Sequence, residues 1–266
     1  MALLSSPDPQ SLLHHLSRRK NPNPKFLLRN PNHRISCSSG QLRLATREAV
    51  TVDSSQLRVR EFLTDSELHA AVRLRIRTFY EFRESYGVEE LRRSLTEREY
   101  EGLNDRISGK LVAFKRVACI NATLPITHSL ISAEELCSEC KFSEDGKERV
   151  VVGTLDLNQC LWLPDELTGR RPEGPGSNPM RAYISNVCVA KELQRNGLGY
   201  KLVNRSKKLA RDWGITDLYV HVAIDNEGAQ KLYEKCGFVY ESEEPAWKAR
   251  FLGRPRRFLL WTDLKS

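Results

Sequence analysis

The sequence predicts an α/β fold in which about four helices cover a mixed sheet of about six or seven strands. Three observations support this fold class. Over residues 183–238, apolar strand patterns alternate with amphipathic helix patterns, which implies parallel strands joined by a helical crossover. Other strand and helix patterns precede this unit, and one more strand follows it. The first 47 residues contain no such pattern and are predicted to be disordered.

Residues 1–50 are predicted to be a plastid transit peptide, and residues 56–266 to be the folded domain. The leader is rich in Ser, Leu, Pro, Asn and Arg, and its only acid before residue 48 is Asp8. Its serines and the Ile-Ser-Cys at residues 35–37 are more typical of a plastid than of a mitochondrial presequence. The alternative is a disordered tail that stays attached to the domain.

The folded domain is predicted to begin with one strand and two helices. Residues 57–63 alternate as a short strand, and Thr64 and Glu67 form a capping box as N-cap and N3 residues. The helix that follows has one apolar face and ends in an aromatic cluster at residues 79–86, most of which is predicted to be core. Residues 89–109 are charged along their length and predict a solvated second helix.

Two further strands are predicted before the central unit. One lies within residues 111–124, and the other is the apolar run VVVGTLDL at residues 150–157. Between them, residues 125–149 are predicted to form an exposed loop or a hairpin arm. Residues 158–181 contain four prolines and three glycines and predict a long loop.

The central unit supplies a strand, a helix, a second strand and a second helix. Its first strand ends near residue 189, and the helix after it ends at Gly214, a typical C-terminal stop. The second strand covers residues 218–223, and Asn226 opens the last predicted helix. Residues 239–255 are polar, and residues 256–264 are predicted to close the sheet as its final strand.

Two motifs within the central unit carry the functional information. Residues 194–199 read Q-x-x-G-x-G, and glycines at a strand-to-helix turn let backbone N–H groups approach an anion closely. Residues 226–238 read N-x-x-A-x-x-L-Y-x-x-x-G-F. Together with Val189, these patterns resemble, in order, the motifs of the GNAT superfamily of acetyl-CoA-dependent N-acetyltransferases, and the chain resembles the plant plastid members of that family.

The resemblance implies the GNAT fold and an acetyl-CoA site built on this unit. The pyrophosphate would lie on the backbone N–H groups of the turn and the pantetheine arm along residues 186–189, while the Tyr233 hydroxyl would donate a proton to the departing sulfur. Asn226 would hydrogen-bond the pantetheine, and the Arg195 cation would add to the pyrophosphate site. The implied cofactor-binding residues are Val187, Cys188, Val189, Gln194, Arg195, Asn196, Gly197, Leu198, Gly199, Tyr200, Asn226, Glu227, Gly228 and Tyr233.

The general base is not identified by these motifs. Many relatives use a glutamate on or near the cofactor strand, whereas this strand offers Ser185 and Asn186. Asp156 on the preceding strand is the best acidic candidate, with an ordinary strand-end aspartate as the alternative.

The resemblance implies transfer of acetyl to protein amines, at lysine side chains, N-termini or both, in the plastid stroma. Two alternatives stay open. A small-amine acetyltransferase would use the aromatic cluster at residues 79–86, and a non-catalytic acetyl-CoA-binding regulatory module is suggested by the missing glutamate.

Other function classes receive little support. The net charge of +8 belongs mostly to the leader, so a nucleic-acid partner for the nearly neutral body is not expected. No run of 18 apolar residues predicts a membrane span. Cys137 and Cys140 form C-x-x-C without a second ligand pair, so we expect no metal and leave a solvated loop or a redox pair as alternatives.

Overall fold

The computed structural model describes residues 52–82, 86–127, 130, 133–160 and 181–264. The predicted transit peptide and most of the predicted long loop at residues 158–181 lie outside the described residues.

Eight strands in the described part of the chain form a single mixed sheet. Their order is β1-β2-β4-β5-β6-β8-β7, with β3 paired to β4, and only the β5–β6 pair is parallel. The strands are β1 (Arg58–Glu61), β2 (Phe114–Pro125), β3 (Lys141–Glu144), β4 (Lys147–Cys160), β5 (Arg181–Val189), β6 (Asp217–Ala223), β7 (Val239–Glu243) and β8 (Arg257–Asp263).

Six α-helices accompany the sheet within the described residues. They are α1 (Asp65–Phe79), α2 (Val88–Ile107), α3 (Glu134–Glu139), α4 (Leu198–Asp212), α5 (Glu227–Lys235) and α6 (Ala246–Phe251). The fold class and the four long helices are confirmed, and the parallel β5–α4–β6 crossover lies where the sequence predicts it. The predicted element count is too low because α3, α6 and β7 are short, and β7 is exposed at every position.

The capping box at the start of α1 is only half formed. The Thr64 hydroxyl accepts from the Glu67 N–H at 3.3 Å, as predicted. The Glu67 carboxylate, however, accepts from the Leu63 N–H and is fully buried, where it is bound by Arg60 and Asn121. Burial among donors on neighbouring strands therefore ties the helix start to β1 and β2 instead of completing the box.

The helices lie on two faces of the sheet. A side chain added at Gly153 of β4 would meet Leu202 of α4, so α4 covers the face to which Gly153 and, by alternation, Leu155 and Leu157 point. The opposite face carries Asp156, which Arg75 of α1 contacts. In this way α1 and α4 pack against opposite sides of β4.

The strands β5 and β6 separate part of the way along their length. Their parallel pairing runs from Arg181 and Asp217 only as far as Ile184 and Val220. Beyond this point β5 continues to pair with β4, and β6 continues to pair with β8. The result is a cleft between the C-terminal halves of two strands in the middle of the sheet, which is where open α/β sheets bind ligands.

Candidate active site

The turn between β5 and α4 forms one end of this cleft. Arg195 and Gly197 both have left-handed backbone conformations, with φ of 69° and 74°, and Gly197 is the N-cap of α4. The backbone N–H groups at the start of a helix have no partner within it. Since helix starts also carry a partial positive charge, the turn fits the pyrophosphate that the resemblance implies.

The two glycines of this turn serve different purposes. At Gly197 a side chain would meet nothing within 4 Å, so glycine is favoured there by the positive φ. At Gly199 a Cβ atom would lie 3.0 Å from Leu232 Cδ2 of α5, so glycine lets α4 and α5 pack closely. The second motif is thereby held against the first.

The amide side chains of the turn brace it from inside. The Gln194 Nε2 donates to the Val189 carbonyl at 3.3 Å, and the Asn196 Nδ2 donates to the carbonyls of Leu193 and Gln194. Among the predicted cofactor residues of the turn, Leu198 is buried, whereas Arg195, Gly197 and Tyr200 are exposed. The side chains of Gln194 and Asn196 thus stabilise the conformation of the loop, and the loop offers an anion mainly its backbone.

The C-terminal half of β5 forms the wall of the cleft. Val187, Cys188 and Val189 are buried, and no β6 residue pairs with them. Burial raises the pKa of the Cys188 thiol to about 12, so the thiol is a packing group rather than a nucleophile. What this segment offers a ligand is backbone, as the implied pantetheine site requires.

The predicted residues on α5 lie on the far side of the cleft. Asn226 is the N-cap of α5, and its Oδ1 accepts from the Ala229 N–H at 3.1 Å. Glu227 is exposed and Gly228 is half-buried. Tyr233 is fully buried, and its ring packs edge-on against Phe238 with centroids 5.6 Å apart. The tyrosine is therefore rigidly held within the core.

The surroundings of Asp156 argue against the role of general base. Its carboxylate is fully buried and receives two hydrogen bonds from the Arg75 guanidinium, at 2.6 and 3.0 Å. The Asn186 amide donates a third at 2.8 Å, and Arg106 lies 3.6 Å away. A buried carboxylate held by an arginine in this way is poorly placed to take a proton from a substrate, so these surroundings favour the alternative of an aspartate with a structural role.

A second buried polar pair, Tyr183 and His221, lies where β5 and β6 separate. The Tyr183 hydroxyl and His221 Nδ1 are 3.1 Å apart, and both residues are buried. His221 is the first residue of β6 beyond the last pair with β5. Burial, and then the nearby cations of Arg257, Arg254 and Lys248, hold the pKa of His221 well below its ordinary value of 6.5. The imidazole is therefore neutral at neutral pH.

Sequence reasoning missed this pair because Tyr183 and His221 are 38 positions apart and each occupies an ordinary strand position. One signal was present in the sequence. His221 lies among apolar residues of the second parallel strand, two positions after Tyr219, which pairs with Tyr183. Parallel register alone then places the histidine near the first strand.

His221 and Tyr233 lie on opposite faces of the sheet. Tyr183 pairs with Asn158 and therefore lies on the face of Asp156, and His221 contacts Tyr183 on that face. The helix α5, which carries Tyr233, packs beside α4 on the other face. The gap between β5 and β6 separates the two side chains.

The remaining candidates from the sequence occupy simpler environments. Tyr80 and Phe82 stack with ring centroids 6.1 Å apart, whereas Tyr86 is fully exposed and does not join them. The C-x-x-C does not lie in a solvated loop: Cys137 lies on α3 and is half-buried, Cys140 is the buried C-cap residue of this helix, and both are free thiols. Burial raises the pKa of both, which makes reactive thiolates unfavourable.

Two further features are absent from the described part of the chain. No group of three or more metal-binding side chains occurs there. None of the helices described is both long and apolar enough to cross a membrane.

Comparison with known proteins places the chain among acetyltransferases. The family model for the acetyltransferase (GNAT) family matches residues 68–238. The chain is 57% identical over 219 residues to GCN5-related N-acetyltransferase 7, chloroplastic, of Arabidopsis thaliana, which covers 82% of this chain and 80% of the relative. It is 32% identical over 190 residues to GCN5-related N-acetyltransferase 6, chloroplastic, of the same plant, covering 67% and 60% of the two chains.

Among solved structures, a chimera of spermidine N-acetyltransferase SpeG from Vibrio cholerae and hSSAT aligns with a TM-score of 0.47 at 17% identity. The alignment covers 79% of this chain and 96% of the chimera. The family assignment rests on the family model and the Arabidopsis relatives, not on this structural likeness. The chain belongs to the acetyltransferase (GNAT) family and is an N-acetyltransferase that uses acetyl-CoA.

Proposed function

We propose that the enzyme acetylates amines of polypeptides, at lysine side chains, N-termini or both, in the plastid stroma. The Arabidopsis relatives, whose names call them chloroplastic, support the plastid. The observation that carries the polypeptide acceptor is the exposed apolar surface on α6. Trp247 and Phe251, one helical turn apart, are 69% and 83% exposed.

This surface belongs to the connection between β7 and β8, next to His221. The connection ends beside the C-terminal end of β6, since Arg257 pairs with Ala223 and the Ile224 N–H donates to the Arg256 carbonyl. Glu244 joins its two ends through ion pairs with Arg254 and Arg257. Exposed aromatic side chains beside a cleft are typical of protein-binding surfaces, whereas a small amine would be better served by an enclosed pocket.

The backbone at the cleft would hold acetyl-CoA, which supplies the acetyl group as an activated thioester. The N–H groups at the start of α4, with the Arg195 cation, would bind the pyrophosphate. The backbone of residues 186–189, left without β6 partners, would bind the pantetheine arm. Glu227 and Gly228 border the same cleft through α5.

His221 would act as the general base. An ε-amine has a pKa near ~10.4 and an α-amine near ~7.7–8.0, so either must lose a proton before it attacks. With the Nδ1–H donated to the Tyr183 oxygen, Nε2 is the proton acceptor. Its depressed pKa keeps it unprotonated at neutral pH. Tyr183 would then hold the tautomer and the ring orientation.

Tyr233 would act as the general acid from the other face. Its hydroxyl would give its proton to the sulfur as the carbon–sulfur bond of the thioester breaks, so that no free thiolate has to leave. Because ring packing against Phe238 fixes Tyr233, its hydroxyl would be oriented before the substrates arrive.

A small-amine acetyltransferase is the second candidate, favoured by the stacked rings of Tyr80 and Phe82 after α1. The full chain, incubated with acetyl-CoA, would be given three acceptor sets. These are peptides with a free N-terminus and no lysine, N-terminally blocked peptides with lysine, and a mixture of polyamines and arylalkylamines. We expect mass spectrometry to show acetylation in one or both peptide sets. Acetylation confined to the small amines would overturn the proposal.

A further inference from the structure

The cofactor strand β5 contains a backbone irregularity at Asn186. The residue has a left-handed conformation with φ of 54°, which is uncommon for any residue other than glycine and unusual inside a strand. Pairing with β4 shifts at the same place: β4 advances from Thr154 to Asp156 while β5 passes from Cys188 to Ser185. The extra residue on β5 forms a β-bulge, which bends the strand.

The bulge coincides with the point where β5 leaves β6. The last β5–β6 pair is Ile184 with Val220, and the bulge follows two residues later. A bulge strengthens the local twist, so it redirects the N–H groups of the residues that follow. The conformation of Asn186 therefore sets the direction of the cleft wall.

Buried polar groups hold this conformation from the side of α1. The Asn186 amide donates to Asp156 Oδ2 at 2.8 Å, and Arg75 binds both oxygens of the same carboxylate. Thr154 accepts from the Arg75 guanidinium at 3.0 Å, and Arg106 of α2 approaches Asp156 at 3.6 Å. Asn186 is the member of this Asp156 cluster that lies on the cofactor strand.

We propose that Asp156 is a positioning residue for acetyl-CoA binding. Its carboxylate, oriented by Arg75, holds the Asn186 amide and so keeps Asn186 left-handed, which keeps the backbone of residues 187–189 directed at the pantetheine arm. Without the hydrogen bond, β5 relaxes toward a regular strand and its N–H groups turn away from the cleft. The inference rests on the placement of the pantetheine arm along β5 that is part of the proposed function.

If Asp156 positions β5, its loss affects contacts with only one part of acetyl-CoA. If Asp156 serves only stability, its loss affects contacts with every part of the ligand. Acetyl-CoA would contact both the turn before α4 and the strand β5. Adenosine 3′,5′-bisphosphate lacks the pantetheine arm and would contact only the turn. A change confined to β5 must weaken binding of the first ligand and leave binding of the second unchanged, whereas general damage to the fold weakens both.

The test measures the dissociation constants of both ligands by calorimetry for the full chain and three variants, well below their unfolding temperatures. For Asn186→Ala we expect about tenfold weaker acetyl-CoA binding, since alanine lacks the amide and disfavours positive φ. Asp156→Asn keeps the shape of the side chain but removes the negative charge that orients the Asn186 amide. It should weaken acetyl-CoA binding to a similar extent. Adenosine 3′,5′-bisphosphate should bind all proteins within about twofold of wild type.

Asn186→Gly keeps the proposal falsifiable if the other variants fold poorly, because glycine adopts the same φ without strain. We expect it to bind acetyl-CoA more weakly than wild type but more tightly than Asn186→Ala. Wild-type affinity in the glycine or alanine variant would overturn the role of the amide, as would equal weakening of both ligands. If the folded wild-type chain itself binds no acetyl-CoA, the cofactor arrangement in the proposed function is overturned as well.

Discussion

Two buried ionisable side chains, His221 and Asp156, lie close to the point where β5 and β6 separate, and their surroundings differ. Asp156 is held by three hydrogen bonds from Arg75 and Asn186. His221 is hydrogen-bonded to Tyr183, and burial, followed by three nearby cations, lowers its pKa. Hydrogen bonds from several donors fix the carboxylate in one orientation, whereas a neutral imidazole can still exchange a proton.

Replacing His221 tests the base directly. We expect His221→Gln to lower kcat by about 10²–10⁴-fold and to leave the acetyl-CoA dissociation constant unchanged, because general-base catalysis contributes about that much. Tyr183→Phe, which removes only the partner of Nδ1, should lower kcat less. An unchanged kcat in His221→Gln would contradict the assignment.

The same residue makes a second, independent contribution that depends on pH. The folded pKa of His221 lies below the ordinary value of 6.5, so the unfolded chain binds the extra proton first as pH falls. Folding stability is therefore full above about pH 6.5 and declines below it. The decline in urea-unfolding free energy should be smaller in His221→Gln than in wild type.

Tyr233→Phe separates the acid from the packing of the core. Phenylalanine keeps the ring contact with Phe238 and removes only the hydroxyl. We expect kcat to fall by about 10²-fold or more with acetyl-CoA affinity unchanged. A parallel loss of stability and affinity, with kcat retained, would show that the hydroxyl serves the core instead.

At the scale of elements, β4 packs so closely against α4 at Gly153 that an added side chain would collide with its neighbours. A Cβ atom at Gly153 would lie 2.9 Å from Leu202 Cδ1 and 3.2 Å from the Cys188 carbonyl oxygen. The leucine can move, but the carbonyl belongs to the backbone of β5. Any larger residue at position 153 therefore requires α4 or β5 to shift.

We expect Gly153→Ala to destabilise the protein by about 1–3 kcal/mol, the usual cost of overpacking a core. Gly102→Ala on α2 is the matched control, because a side chain there meets nothing within 4 Å, and alanine in a helix should stabilise by about 0.5–1 kcal/mol. Chemical denaturation measures both. Equal effects of the two substitutions would contradict the close packing.

The exposed aromatic residues of α6 are predicted to bind the peptide acceptor. We expect Trp247→Ala and Phe251→Ala to raise the KM for peptide acceptors by about 10-fold, since exposed aromatic side chains commonly dominate protein interfaces. The KM for acetyl-CoA should not change. Val112→Ala, another exposed apolar side chain but one that precedes β2, is the control and should leave both constants unchanged.

At the scale of the whole molecule, the periodic elements could be predicted and the irregular ones could not. The strands β4, β5 and β6 are almost continuously buried, and the helices α1, α4 and α5 bury one face, so their apolar patterns are long enough to recognise, while α2 was recognised from its charged sequence. The edge strand β7 is exposed on both faces, and α6 has six residues, so neither produces a periodic pattern. Residues that bind through backbone follow local motifs, which explains why the turn at residues 194–199 could be recognised.

The partners of the polar side chains could not be predicted for a different reason. Asp156 and Arg75 are 81 positions apart, and Tyr183 and His221 are 38 apart. Each pair is created by strand register or by a helix crossing the sheet, and the sequence motifs do not specify which distant residues these arrangements bring together. From the sequence alone, an aspartate on a strand is therefore a candidate base, because the arginine that pairs with it in the fold cannot be seen.

The separation of β5 and β6 has a consequence for the order of events in the reaction. In the proposed arrangement, the base His221 and the acid Tyr233 would lie on opposite faces of the sheet, so the amine and acetyl-CoA would approach the gap between β5 and β6 from opposite sides. Each substrate would then bind while the other is in place, and each product would leave on the side from which its substrate came. The acetyl group would pass between the two strands while its donor and its acceptor stay on their own faces of the sheet.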